Sequence, residues 1–115
     1  MNAADMKART NAMAKRVIKL IQSLPNDRTA NVIANRMLRS PTSVGANYRA
    51  ACRGRSRADF VAKPGIVKVE SDETAYWLEL LMETNIMPVA LLQPLYDEVN
   101  EITAIIVVSR KTAKA

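Results

Sequence analysis

Apolar and small residues recur along this chain at spacings that alternate between four and three. Met6, Thr10, Met13, Val17, Leu20 and Leu24 carry the first such series, which lines one face of an α-helix over about residues 5–24. Leu24-Pro25-Asn26-Asp27 ends it, because a residue before proline avoids the α region, and Asn26 or Asp27 can then cap the next helix. The second series, Ile33, Met37, Ser40, Val44, Asn47 and Ala51, predicts a helix over about 28–55 with a small, polar core edge. Pro41 removes one intrahelical hydrogen bond there, so the pattern predicts a kink near Met37 to Pro41 or a break into two helices.

Gly54-Arg55-Ser56 makes the second turn, and Ser56 with Asp59 resembles a capping box. Phe60, Pro64, Val67, Ser71, Thr74, Leu78 and Leu81 continue the rhythm over about 57–84, beside a mixed stripe of Ile66, Glu70, Glu73, Trp77 and Leu80. Thr84 to Pro88 closes this helix, with Pro88 suited to the first position of the next. Leu92, Leu95, Val99, Ile102, Ile106 and Ser109 mark the fourth helix, about 88–111, whose Arg110, Lys111 and Lys114 suit a helix C-terminus. Four helices joined by short connections form one domain over residues 1–115, an all-α, antiparallel up-and-down four-helix bundle. Pro64 and Pro94 are further interior prolines whose effect on helix continuity the pattern leaves open.

Within the fourth helix, Ile105, Ile106, Val107 and Val108 are consecutive, so apolar side chains point in several directions. One core cannot cover them all, and Ile105, Val107 and Val108 therefore predict a contact with another subunit. A β-strand is the alternative for such β-branched residues, but the chain offers it no partner strand. Asn47 on the apolar stripe of the second helix must satisfy a buried amide, which makes it a candidate for fixing packing register. Ser40, Ser43, Gly45 and Ala46 beside it are small enough for another helix to approach, with a pocket at this spot as the alternative reading.

Composition narrows the chemistry. The 115 residues include no His, one Cys and three Gly. His-based acid–base catalysis and His or Cys metal cages fall away, and no phosphate-cradling loop or nucleophile elbow occurs. Glu70, Asp72, Glu73, Glu79 and Glu83 lack the His partners of di-metal bundles, so their expected role is to pair with arginines of the second helix or of a neighbour. No enzyme activity, cofactor or metal is expected. Cys52 has no disulfide partner, the charged N-terminal segment lacks a signal-peptide core, and the longest apolar stretch is far below the roughly 20 residues of a membrane span; a cytoplasmic, membrane-free protein is expected.

Charge is unequally distributed. Residues 1–63 hold 13 Lys and Arg against 3 Asp and Glu, whereas residues 64–115 hold 4 against 8. At 100° per residue, Arg28, Arg39, Arg49, Arg53 and Arg57 fall within a sector of about 80°, opposite Ile33, Met37, Val44 and Ala51. Such a ridge suits the phosphates of RNA or DNA without reading their sequence, since no groove-reading motif or stacking aromatic accompanies it. An ordinary solvated face, or neutralisation of the acidic half, is the competing reading.

Three runs carry a resemblance over nearly the whole chain: Arg39-Ser40-Pro41-Thr42-Ser43-Val44-Gly45-Ala46-Asn47, Ser56-Arg57-Ala58-Asp59-Phe60, and Glu73-Thr74-Ala75-Tyr76-Trp77-Leu78. Together they resemble the bacterial proteins encoded inside the intervening sequences of 23S ribosomal RNA genes, which are related to the accessory variability protein of diversity-generating retroelements. The resemblance implies a four-helix bundle assembled as a ring, commonly a homopentamer, with no known catalytic activity. It also implies a partner in nucleic acid or in a nucleic-acid-processing protein. The chain departs from the family pattern at Ala50, where Glu is usual, at Pro64, where Leu is usual, and at Lys68, within a segment that is often acidic.

Overall fold

A computed structural model describes the backbone over residues 2–53 and 57–114, and side chains over 2–53 and 64–109. Four helices follow in order: α1 (Ala3–Gln22), α2 (Arg28–Cys52), α3 (Arg57–Glu83) and α4 (Val89–Lys114). Helix α1 starts two residues before the apolar rhythm suggests, because Asn2 and Asp5 form a reciprocal capping box that satisfies two otherwise free N–H groups. Asp27 caps α2, accepting a 2.8 Å hydrogen bond from the Ala30 amide, so it and not Asn26 does this work. Helix α2 runs unbroken through Pro41, which excludes the two-helix alternative. Helices α3 and α4 likewise continue through Pro64 and Pro94. Pro88 precedes α4 instead of opening it, its carbonyl accepting from the Leu91 amide. The proposed Ser56 capping box lies outside the described residues.

Helix α3 ends in a Schellman motif. Asn85 adopts a left-handed φ of 58°, which lets the Asn85 and Ile86 amides donate to the Met82 and Leu81 carbonyls at 3.3 and 3.2 Å. Ile86 then folds back against the core, and the short turn delivers α4 antiparallel to α3.

Side-chain contacts fix the topology. Tyr96 near the start of α4 donates to Glu79 near the end of α3, while Ser71 in α3 meets Val99 and Thr103 further along α4. Gly45 of α2 faces the Thr10 carbonyl of α1, and Arg9 of α1 reaches Glu98 of α4. Adjacent helices therefore pack antiparallel, giving a rod of 45 × 21 × 19 Å. The α1–α4 contact is the weakest of the four helix pairs.

The four apolar stripes meet in a single core. Met13, Val17, Met37, Val44, Val67, Leu78, Leu81, Leu92, Val99, Ile102 and Ile106 are fully buried. Thr10, Ser40 and Thr74 share this core because each hydroxyl donates to the carbonyl four residues back, so none is left unsatisfied. Tyr48 is buried as well, where the rhythm points instead to Asn47.

Candidate nucleic-acid interface

The arginines of α2 are placed by the same periodicity that buries its opposite face. Ile33, Met37, Val44 and Ala51 are buried, while Arg28, Arg39, Arg49 and Arg53 are exposed. Arg57 belongs to a different helix from the rest of the ridge, since α2 ends at Cys52 and Arg57 opens α3. Its side chain lies outside the described residues.

Arg39 is engaged across the bundle. Its guanidinium donates to Glu70 at 3.2 Å and to Glu73 at 3.5 Å, in accord with the expected pairing of these carboxylates with an arginine of α2. The Glu70 side chain is only 11% exposed, and its Oε2 has no hydrogen-bond partner among the described residues. Arg9 is similarly bound, through Nε at 3.1 Å to Glu98 and through its terminal nitrogen to Glu98 and Glu101. The Glu98 hydrogen bond and the two negative charges hold the Arg9 pKa above its usual value. Both clusters join the basic half of the chain to the acidic half.

Three other cations of α1 and α2 gather elsewhere, Lys7, Lys15 and Arg49. Lys7, Asn11 and Lys15 are spaced four residues apart, so they form one stripe along α1. Thr42, Ala46 and Arg49 form a facing stripe on α2. Together these six residues border a groove of about 580 Å³ whose floor is formed in part by Ala14 and Gly45. Among the described residues, no carboxylate lines it. A Cβ at Gly45 would lie 4.0 Å from the Thr10 carbonyl oxygen of α1, an ordinary contact. A smaller cleft of about 310 Å³ between α1 and α4 carries Arg16 and Lys19. Lys7 and Lys15 stand out in the sequence only as charges; their convergence with Arg49 depends on how α1 and α2 are rotated against one another.

Asn47 is half-buried, and its amide donates to the carbonyl and hydroxyl of Ser43 at 2.9 and 3.0 Å, within its own helix. In α4, Ile105 packs against the core and Val107 is half-buried, whereas Val108 is 63% exposed. Other large apolar side chains on the surface include Val69 and Tyr76 of α3 and Leu91 of α4. Cys52 lies one turn beyond Tyr48; burial, and secondarily the Cys52 thiol, push the Tyr48 hydroxyl up to about 12. Among the described residues, no three His, Cys, Asp or Glu side chains converge on a point that could hold a metal ion. No helix there is long and apolar enough to cross a membrane.

Comparison with known proteins agrees with this architecture. A crystal structure of a protein of unknown function from the S23 ribosomal protein family of Bacteroides thetaiotaomicron superposes with a TM-score of 0.89 at 34% identity, covering 96% of this chain and 99% of the other. No curated protein matches the chain. The family model of the 23S rRNA-intervening sequence protein matches residues 4–108, and with the shared four-helix fold this places the chain in the 23S rRNA-intervening sequence protein family.

Proposed function

We propose that this protein is a non-enzymatic, cytoplasmic, homo-oligomeric scaffold whose basic α1–α2 side binds nucleic acid without sequence preference. The observation that carries the reading is the segregation of unpaired cations. Arg28, Arg49 and Arg53 of the α2 ridge, with Lys7 and Lys15 of α1, are exposed and have no ion pair among the described residues, whereas Arg9 and Arg39 are bound to carboxylates. Exposed lysines and arginines exchange condensed counterions for phosphate contacts, which favours any polyanion and reads no base edge. A gel shift with mixed RNA and DNA at ~50 mM salt, where electrostatic affinity is greatest, tests the reading. Retarded complexes are expected, and their absence would contradict it.

Self-association is the second part of the proposal, a ring of five subunits being the form that the family resemblance suggests. Val69, Tyr76, Leu91 and Val108 are more than half exposed, and an apolar surface of this kind is commonly covered by a partner. Light scattering is expected to give a mass several times 12.7 kDa, with a monomer mass as the contrary result. Arg9 and Arg39 also favour a second reading, in which the basic half serves only to neutralise the acidic half. That reading accounts for two arginines and leaves the others without a role.

A further inference from the structure

Resting on the nucleic-acid reading above, we infer that the strand is seated in the α1–α2 groove bordered by Lys7, Lys15 and Arg49, not along the α2 arginine ridge. Three observations converge on the groove. First, the ridge is interrupted at its centre. Arg39 lies between Arg28 and Arg49, and its guanidinium is held by Glu70 and Glu73. A phosphate approaching Arg39 meets two carboxylates as well as the cation, so the middle of the ridge offers little net attraction.

Second, the groove gathers cations from two helices with no acidic residue in its lining among the described residues. Lys7 and Lys15 are eight residues apart, about 12 Å along α1. That separation spans roughly three to four phosphates at about 3.4 Å of rise per nucleotide. Arg49 faces them from α2, so a strand following the groove meets positive charge from both walls.

Third, the walls suit a backbone and not bases. Among the described residues no aromatic side chain lines the groove, so none of them offers stacking. The Thr42 hydroxyl already donates to the Leu38 and Arg39 carbonyls of its own helix, which leaves the Asn11 amide as the neutral side-chain donor. The small lining residues Ala14, Gly45 and Ala46 leave room for a sugar–phosphate chain to lie between the cations.

Fluorescence anisotropy of labelled 20-nucleotide RNA and DNA, as a function of salt, tests this. For the wild-type protein, three phosphate contacts give a log–log slope of about −2 to −3. The triple variant Lys7→Gln, Lys15→Gln, Arg49→Gln is expected to bring the slope close to zero and to weaken binding at least about tenfold at low salt. The triple variant Arg28→Gln, Arg36→Gln, Arg53→Gln removes the same charge outside the groove and is expected to keep most of the slope. All six side chains are exposed, and helical circular dichroism establishes that both variants are folded. If the second variant loses as much slope as the first, or more, the groove assignment is overturned while the nucleic-acid reading stands. If the wild-type protein binds neither probe, both fall.

Discussion

At the scale of single residues, the most exposed weakness of this bundle is the Glu70 carboxylate. It is nearly buried, one oxygen is satisfied by Arg39 and the other has no partner among the described residues. Removing the cation while keeping the acid leaves a desolvated charge, so Arg39→Met is expected to destabilise the fold by about 1–3 kcal/mol. Adding Glu70→Gln should recover part of that loss in urea denaturation, and a purely additive double variant would show that the pair is not coupled. Tyr48 makes a second prediction. Its pKa is raised to about 12 from about 10 in the unfolded chain, so the folded state holds the phenolic proton more tightly. The resulting stability is intact below pH ~10 and is lost as pH rises through ~12. Tyr96 acts in the same sense, raised by its hydrogen bond to Glu79. A thermal unfolding series is therefore expected to fall steadily over this window, and Tyr48→Phe should flatten the fall.

At the scale of elements, each helix is set by its periodicity and its ends are set by local chemistry. The buried residues Met6, Thr10, Met13 and Val17, and their counterparts on α2 to α4, could be read from the four-three rhythm because a helix repeats every 3.6 residues and one face must be covered. The ends were less legible. Asn2 and Asp5 carry no apolar signal, so the cap that starts α1 lies outside the rhythm that announces the helix. At the other extreme, α2 ends at Cys52 and Arg57 opens α3, so a single helical phase does not run from Arg53 to Arg57. The α3–α4 turn depends on the left-handed Asn85. A β-branched residue there clashes with its own carbonyl, so Asn85→Val is expected to cost about 1–2 kcal/mol in chemical denaturation. An unchanged midpoint would mean that the Schellman turn does not hold this corner.

At the scale of the whole molecule, the division of charge between the halves of the sequence becomes a division between faces of the rod. Pairing of Glu70 and Glu73 with an arginine of α2 was legible from composition and spacing, but that Arg39 would be the one taken from the ridge was not, because it depends on the rotation of α2 against α3. The α1–α2 groove was hidden for the same reason: Lys7, Lys15 and Arg49 lie on two helices whose relative rotation no single-helix pattern encodes. On the proposed function, α1 and α2 bind nucleic acid and α3 and α4 do not. Lysine acetylation read by mass spectrometry, with and without saturating oligonucleotide, tests it most directly, because Lys7, Lys15 and Lys68 are all exposed in the free chain. Protection of Lys7 and Lys15 is expected, with Lys68 on α3 modified as before. Equal protection of Lys68, or no protection of Lys7 and Lys15, would contradict it.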